Sequence, residues 1–367
     1  MTSLVCSTCH HSFSDDLPRW QCTCGGLLDM VFQPDVTINQ ISSANLSMWR
    51  YRAVIPLRHD KNIVSFNEGK TPLLDIDIDG LPVKVKLDHL CPSGSFKDRG
   101  ASVLVSKVKE LGIQHVVEDS SGNAGAAIAT YCAAAHIGCD IYVPASTSAG
   151  KLTQIEAMGA RVVKIPGSRD DTARAVLQQA QHIYYASHVW NPYFLHGIKT
   201  IAYEICEQLD WSAPDFFFTP VGNGSLLLGA FIGFGELLNA GMIAKMPRLC
   251  AVQSAHCAPC AEAFFLNQKT IVPIDPQPTL AEGIAVAEPI RGAQIINAVR
   301  QSNGDFITVL DNEVKLWLDK FYKKGLYIEP TSAVVFAGLS KYKRKLGKND
   351  TVVTIITGHG LKTNKKV

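Results

Sequence analysis

The chain lacks a strong net charge and a membrane-length apolar run. Its 367 residues carry 35 lysines and arginines against 33 aspartates and glutamates, a formal net charge of +2 at pH 7. So small an excess gives no argument for binding nucleic acid or an anionic membrane. The longest apolar stretch, residues 226–238, is too short to span a bilayer and is typical of a buried helix. Residues 1–13 have no continuous apolar core, so we expect no signal peptide.

The 11 cysteines do not follow the pattern of a small secreted disulfide domain, so we expect a reduced, cytoplasmic protein. Cys6 and Cys9 are separated by two residues, and Cys22 and Cys24 by one. Two such pairs resemble the thiolate knuckles of a zinc ribbon, and four thiolates would make a structural site. The alternative is a ribbon that has kept its cysteines but binds no metal. The spacing of the cysteines favours neither the zinc-bound nor the metal-free ribbon.

Short apolar runs alternate with helical stretches along most of the chain. Residues 216–218 and 352–356 are nearly continuous apolar runs, which are typical of parallel strands covered on both faces. The alternation predicts an α/β protein with parallel sheets. Ligands of such sheets bind at the carboxyl ends of the strands.

Lys97 lies in the run Ser-Phe-Lys-Asp-Arg-Gly at residues 95–100, where a helix is predicted to begin. A lysine amine attacks an aldehyde only when it is deprotonated, and burial near a helix start would favour that state. A solvated helix lysine is the ordinary interpretation of a lysine in isolation. Two loops further along the chain favour instead an amine that forms a Schiff base.

The first of these loops is a candidate phosphate site. It follows a predicted apolar strand and precedes a helix, where backbone N–H groups and the helix dipole favour an anion. Its four residues are Gly222, Asn223, Gly224 and Ser225. The absence of lysine and arginine from the loop excludes an ATP-type phosphate loop. A tight turn is the alternative.

The second loop is a candidate carboxylate site at another predicted helix start. Its residues are Ser120, Ser121, Gly122 and Asn123. Two hydroxyls, a glycine and an amide at a helix N-terminus suit a substrate carboxylate. An ordinary helix cap is the alternative, because serine and asparagine both cap helices.

Thr357 follows the apolar run 352–356, and its hydroxyl is a candidate partner for the ring nitrogen of a cofactor. A strand-end threonine in a turn is the alternative. If the cofactor ring is a pyridine, a hydroxyl partner, unlike a carboxylate, would not keep its nitrogen protonated. We therefore expect a weakened electron sink that favours elimination over transamination.

These motifs, taken in order, resemble those of threonine synthase and its relatives in the fold type II group of pyridoxal-phosphate (PLP) enzymes. The resemblance covers nearly the whole chain. The segments that carry it are residues 49–52, 68–73, 92–100, 121–123, 222–226 and 357–362, together with the cysteine-bearing N-terminus.

The resemblance implies a role for each candidate residue. Lys97 would bind PLP covalently, and Asn123 would bond the ring hydroxyl of the cofactor. Residues 222–225 would hold its phosphate, and Thr357 would face its pyridine nitrogen. Residues 282–284 match a segment that passes close to the cofactor ring in this group. The substrate carboxylate would be bound by Ser120, Ser121 and Gly122.

The resemblance also implies two parallel-sheet α/β domains after a zinc-ribbon-like knuckle at residues 1–35. The smaller domain, residues 86–195, would carry Lys97 and the asparagine loop. The larger domain would join residues 45–85 to residues 196–367 and carry the phosphate loop. We further expect a small amino-acid substrate, no nucleic-acid or membrane partner, and a homodimer.

The reaction implied is that of a PLP-dependent lyase that converts O-phosphohomoserine and water into threonine and phosphate. Threonine synthases usually continue the asparagine loop with Thr-Ser-Ala-Ser, whereas residues 124–127 here are Ala-Gly-Ala-Ala. One alternative is therefore β-replacement or β-elimination on phosphoserine or serine, as in a cysteate synthase or a dehydratase. An alternative of another class is a catalytically silent binding protein with the same fold, against which the intact Lys97 argues.

Overall fold

A computed structural model describes residues 2–34 and 36–363. Within these residues there are thirteen β-strands and eleven α-helices. The strands are β1 (Ser3–Cys6), β2 (Ser12–Ser14), β3 (Leu28–Val31), β4 (Leu73–Ile78), β5 (Leu81–Lys86), β6 (His115–Glu118), β7 (Gly138–Pro144), β8 (Arg161–Ile165), β9 (Tyr184–Tyr185), β10 (Phe216–Pro220), β11 (Arg248–Ser254), β12 (Asp305–Val309) and β13 (Val352–Ile355). The helices are α1 (Lys97–Glu110), α2 (Asn123–Ala135), α3 (Ala149–Ala157), α4 (Arg169–Gln179), α5 (Pro192–Ile198), α6 (Thr200–Gln208), α7 (Ser225–Asn239), α8 (Pro259–Phe265), α9 (Gly292–Gln301), α10 (Asp311–Lys323) and α11 (Pro330–Tyr342).

The strands form three sheets. A small sheet of order β2-β1-β3 is antiparallel. A sheet of order β8-β7-β6-β9 is parallel throughout. In the sheet of order β12-β11-β10-β13-β5-β4, only the edge pair β4 and β5 is antiparallel. The prediction of an α/β protein with parallel sheets is confirmed.

The chain folds into two compact units. The first unit comprises Met1–Glu68 and Lys97–Ile198, and the second comprises Gly69–Phe96 and Lys199–Val367. The first contains the antiparallel sheet and the four-stranded sheet, and the second contains the six-stranded sheet. Each unit is a group of residues in mutual contact. Such a grouping does not test the domain boundaries expected from the sequence, which stay a prediction.

The core of the second unit lies between its sheet and helices α10 and α11. Every residue of β10 is buried, as expected for a strand covered on both faces. Aromatic side chains fill the space between the two helices, and the ring centroids of Phe321 and Phe336 are 4.1 Å apart. Burial of such large apolar side chains is the main contribution to the stability of a core.

The antiparallel edge of the same sheet is a hairpin that the sequence analysis did not identify. Asp79 and Gly80 connect β4 to β5, with φ angles of 53° and 82°. Two positive φ angles define a type I′ turn, for which Asp-Gly is a preferred sequence. The Asp-Gly pair between two alternating strands is the signal that would have found this hairpin.

Among the described residues, no helix combines the length and the hydrophobicity that a membrane span requires. The run 226–238, predicted to be a buried helix, is part of α7. That helix packs closely against α6 at Gly233. A Cβ atom added at Gly233 would lie 2.4 Å from the Lys199 carbonyl oxygen and 2.8 Å from Ala202 Cβ.

The two glycines of α7 at positions 233 and 235 give a matched test of this contact. We expect Gly233→Ala to lower the free energy of unfolding by about 1–3 kcal/mol, because the added methyl group overpacks the helix contact. We expect Gly235→Ala to raise it by up to about 1 kcal/mol, because alanine favours a helix. The nearest atom to a Cβ at Gly235 is Met246 Cε, at 3.7 Å. Urea denaturation of both variants measures the effect, and equal shifts would contradict the packing described.

Candidate active site

Lys97 is the first residue of α1 in the first unit and is half-buried. Its Nζ atom lies 5.7 Å from the centroid of the Phe194 ring on α5. The two residues that follow, Asp98 and Arg99, are completely buried. The amine therefore lies at a helix end beside an aromatic ring, next to two completely buried residues.

A buried acid–base pair belongs to the electrostatic environment of Lys97. His188 Nδ1 lies 2.6 Å from Glu118 Oε1, and both side chains are buried. Burial raises the pKa of Glu118 well above its usual value. Burial, together with the charge of Lys97, lowers the pKa of His188 well below its usual value. Both shifts favour the uncharged form of each group.

The asparagine loop connects β6 to α2 in the same unit. Ser121 and Asn123 are half-buried, Gly122 is exposed, and the Gly122 N–H donates to Ser120 Oγ at 3.3 Å. The helix start approaches its own loop closely, because a Cβ atom at Gly125 would lie 1.8 Å from the Ser120 carbonyl oxygen. The structure thus brings the four predicted residues together at a helix N-terminus, as an anion site requires.

The glycine loop 222–225 connects β10 to α7 in the second unit. Gly224 has φ +74°, a left-handed conformation that favours glycine. A Cβ atom at Gly222 would lie 2.8 Å from Ile284 Cα, so only glycine fits there. The loop precedes a helix of 15 residues and includes Ser225, its first residue. This geometry suits a phosphate group held by backbone N–H groups.

The contact with Ile284 also locates the segment that the resemblance placed near the cofactor ring. Residues Glu282–Ile284 form a short 3₁₀ turn, and its last residue lies against Gly222 of the glycine loop. The segment and the loop are therefore neighbours within the second unit.

Thr357 lies just beyond the end of β13 and is completely buried. Its hydroxyl donates to Glu329 Oε1 at 2.7 Å and lies 2.9 Å from Ser332 Oγ. Its carbonyl oxygen accepts from the backbone N–H of Phe96 at 3.0 Å, and Phe96 directly precedes Lys97 in the chain. Sequence reasoning missed Glu329 and Ser332. The proline after Glu329, at a helix start, was an available signal.

Two buried hydroxyls in the second unit support a bound polar ligand. Ser95 Oγ and Thr219 Oγ1 have no hydrogen-bond partner within the part of the chain that the structure describes. Buried polar groups are nearly always hydrogen-bonded. Ser95 forms a bridge with Gly358, and Thr219 belongs to the strand that leads to the glycine loop. Together with the glycine loop, these groups fit an oxygen-rich, phosphate-bearing cofactor.

The four N-terminal thiols lie together in the first unit. Their sulfur atoms all lie within 4.8 Å of one another. Cys6 Sγ is 3.5 Å from Cys24 Sγ, and Cys9 Sγ is 3.6 Å from Cys22 Sγ. Tetrahedral zinc with bonds of about 2.3 Å to sulfur separates its sulfur ligands by about 3.8 Å. The arrangement fits a zinc ion despite the single-residue spacing of the second pair.

Backbone hydrogen bonds favour the thiolate form at the first of these cysteines. The N–H groups of Cys9 and Thr8 point at Cys6 Sγ, at 3.4 Å and 3.3 Å. The bond from Cys9 is the main reason that the pKa of Cys6 falls to about 6. A thiolate is the form that binds a metal.

Comparison with known proteins agrees with this geometry. The family described as "Pyridoxal-phosphate dependent enzyme" matches residues 64–358. Threonine synthase from Methanocaldococcus jannaschii is 34% identical, over 97% of this chain and 92% of that protein. Threonine synthase from Methanosarcina acetivorans is also 34% identical, over 100% of this chain and 94% of that protein. The chain therefore belongs to the family of pyridoxal-phosphate-dependent enzymes.

A solved structure shows the same fold at lower identity. The processed form of threonine deaminase isoform 2 from Solanum lycopersicum aligns with a TM-score of 0.71 and 20% identity, over 94% of this chain and 92% of that one. The predictions of fold type II, of PLP as cofactor and of a PLP-dependent lyase resembling threonine synthase are confirmed. The roles of the individual site residues stay predictions.

A buried histidine beside the Thr357 segment gives the stability of the folded chain a pH dependence. The His89 backbone N–H donates to the Ile356 carbonyl oxygen at 3.1 Å, and the ring centroids of His89 and His359 are 5.8 Å apart. Burial, reinforced by His359, lowers the pKa of His89 from 6.5 to about 4. The folded chain therefore keeps this ring neutral down to a pH at which the unfolded chain has already bound a proton.

We expect this difference to destabilise the protein progressively as the pH falls from 6.5 to about 4. The unfolded state then binds more protons, so His89 alone accounts for a loss of up to about 3 kcal/mol. The variant His89→Gln cannot titrate and should lose correspondingly less stability over the same range. Urea denaturation at a series of pH values measures both slopes, and parallel slopes would refute the buried neutral ring.

Proposed function

We propose that the protein converts O-phosphohomoserine and water into threonine and phosphate. The observation that carries the proposal is the similarity to threonine synthases along nearly the full chain, at 34% identity. The candidate lysine and both anion-binding loops lie within the matched region. The proposal concerns the substrate, because the cofactor class follows from the family.

Each candidate residue has a proposed part in holding the cofactor. Lys97 would bind its aldehyde carbon, and Asn123 its ring hydroxyl. The backbone N–H groups of residues 222–225 would hold the phosphate, and Thr357 would face the ring nitrogen. When bound, PLP supplies an electron sink for charge that develops beside the amino group of the substrate.

Side chains and backbone groups of the chain would bind the substrate and transfer its proton. The carboxylate of the substrate would lie on the asparagine loop, where Ser120, Ser121 and Gly122 orient it. The Lys97 Nζ atom would accept the α-proton of the substrate as general base and return a proton later. The raised pKa of Glu118 favours this role, because an ionised carboxylate there would favour a protonated amine.

A second candidate reaction is favoured by the first turn of α2. Ala124 and Ala126 are buried there, and the close approach to Ser120 requires glycine at position 125. This turn therefore offers no hydroxyl for a substrate phosphate. The alternative reaction is β-elimination or β-replacement on O-phosphoserine or serine. In these substrates the carbon that bears the leaving group is one position closer to the amino group than in O-phosphohomoserine.

The two candidates are separated by the phosphate that each substrate releases. We expect the purified holoenzyme to release phosphate faster from O-phosphohomoserine than from O-phosphoserine, with threonine as the product. A faster reaction with O-phosphoserine would establish the second candidate instead. Phosphate release and amino-acid analysis across a substrate panel provide the measurement.

The variant Lys97→Ala tests the covalent site. We expect it to lose the visible absorption band of the bound cofactor and to lose activity by about 10²–10⁴-fold or more, because the general base is gone. Lys109→Ala is the matched control, because Lys109 is an exposed lysine on the same helix. Far-UV circular dichroism checks that both variants fold. A Lys97→Ala protein that keeps its band and its turnover would reject the assignment.

We also propose that Cys6, Cys9, Cys22 and Cys24 bind one structural zinc ion. The separations of their sulfur atoms and the two backbone N–H groups directed at Cys6 Sγ support the proposal. Four protein ligands leave no open coordination position, so the ion would stabilise the first unit rather than take part in the reaction.

The variant Cys9→Ala tests the zinc site. We expect elemental analysis to find one zinc per wild-type chain after dialysis and little zinc in the variant, because three thiolates hold the ion less tightly. Cys257→Ala is the control. Cys257 and Cys260 have the same spacing as Cys6 and Cys9, but both are buried in the second unit. Wild-type protein that contains no zinc when the metal is supplied would refute the site.

The location and assembly of the protein stay predictions. No disulfide joins any of the described cysteines, and we retain the cytoplasm, a reducing compartment, as the expected location. We retain the homodimer as the expected assembly, and light scattering of the purified protein would determine it.

A further inference from the structure

Trp20 of the cysteine knuckle packs beside the four-stranded sheet of the first unit. Its ring lies edge-to-face with the rings of Tyr185 and Trp190, at centroid distances of 5.2 and 5.7 Å. Its indole N–H donates to the carbonyl oxygen of Ala180, the residue just after α4, at 3.3 Å. Trp20 is only two residues from Cys22, one of the four clustered thiols. A large side chain close to the sulfur cluster therefore joins the knuckle to the sheet.

Tyr185 connects this contact to the loop that is proposed to bind the substrate carboxylate. Tyr185 is the last residue of β9, and its hydroxyl donates to Asp119 Oδ1 at 2.6 Å. Both residues are buried, and Asp119 directly precedes Ser120, the first residue of the loop. Tyr185 thus contacts Trp20 through its ring and the start of the loop through its hydroxyl.

The segment that follows β9 is also bonded to the strand that carries this loop. His188 Nδ1 lies 2.6 Å from Oε1 of Glu118, the last residue of β6. The two ring contacts of Trp20 flank this segment, because Tyr185 precedes it and Trp190 follows it. Trp20 therefore packs against the residues on either side of His188.

A second contact attaches the knuckle to α1, the helix that begins at Lys97. Asp15 is buried, and its Oδ2 atom lies 3.3 Å from the Nζ atom of Lys107 on α1. The Asp15 carbonyl oxygen accepts the Tyr193 hydroxyl at 3.3 Å. Tyr193 directly precedes Phe194, whose ring lies beside Lys97. Both contacts lead from the knuckle to elements that carry candidate site residues.

We propose that Trp20 is a positioning residue: by holding Tyr185, it fixes Asp119 and the loop that binds the substrate carboxylate. The inference rests on the proposed function, in which residues 120–122 bind that carboxylate. A loop that is already ordered binds its ligand more tightly, because binding does not have to order it. The knuckle would then raise the affinity for the substrate through packing. Loss of such uniform binding raises KM and leaves kcat nearly unchanged.

The variant Trp20→Leu tests the contact with the sheet. We expect KM to rise about three- to tenfold, as loss of an aromatic pair predicts, with kcat changed by less than about twofold. Trp211→Leu is the matched control, because Trp211 is also half-buried but lies in the second unit. Steady-state kinetics of the holoenzymes, with the amino acid that the substrate panel shows to react fastest, provide the measurement. A Trp20→Leu protein with the wild-type KM would contradict the positioning role.

The variant Tyr185→Phe tests the connection without altering the knuckle. It keeps the ring that Trp20 contacts and removes only the hydroxyl that holds Asp119. We expect KM to rise about tenfold, as loss of one buried hydrogen bond predicts, with zinc content and far-UV circular dichroism unchanged. Tyr184→Phe is the control, because the Tyr184 hydroxyl bonds to Asn191 and should leave KM unchanged. Equal KM values for the two variants would refute the path through Tyr185.

Hydrogen exchange measured by mass spectrometry gives a readout that needs no substrate. In the Trp20→Leu and Tyr185→Phe holoenzymes we expect faster amide exchange than in wild-type protein across residues 119–125, because the loop is less well held. Unchanged exchange in this segment overturns the inference and leaves the proposed reaction intact. A wild-type protein that releases phosphate from neither O-phosphohomoserine nor O-phosphoserine would instead reject the proposed function, and the exchange data would still decide whether Trp20 orders the loop. If Trp20→Leu does not fold, Tyr185→Phe decides.

Discussion

The parallel arrangement of the strands is the constraint on which the candidate site depends. Parallel strands place their carboxyl ends at one edge of a sheet, and the loops that follow must turn there into helix N-termini. In the first unit this brings the asparagine loop to the end of β6. In the second unit it brings the glycine loop to the end of β10, while β13 beside it leads to Thr357. Anion sites arise at these loops because unpaired backbone N–H groups and helix dipoles point outward.

Two buried glutamates show that the same type of side chain can have different roles in different surroundings. Glu118 lies beside His188, and burial raises its pKa well above the usual value. Glu329 lies at the start of α11 and accepts the Thr357 hydroxyl proton. The first is suited to leave the lysine amine uncharged, and the second is suited to orient a hydroxyl. Both effects follow from the balance between desolvation and local hydrogen bonds.

The sequence allowed the chemistry-bearing loops to be predicted because their signals are local. Lys97 at a helix start and the glycines at 222 and 224 are recognisable from neighbouring residues alone, and the structure places them at helix N-termini. The partners of Thr357 could not be predicted in this way. Glu329 and Ser332 lie 28 and 25 residues away along the chain, and they meet Thr357 only because α11 packs beside β13. The Asp79-Gly80 hairpin had a local signal that was not used.

By itself, the sequence determined the α/β class, the helix-start lysine, the two anion loops and the four thiols that could bind zinc. These features depend on residue type, spacing and the turn chemistry of glycine, which act over a few residues. Only the tertiary structure decided that the four thiols converge within 4.8 Å and that Thr357 donates to a carboxylate. The reason is that the direction of a buried hydrogen bond, like the charge of a buried group, depends on side chains that folding brings together from distant parts of the chain.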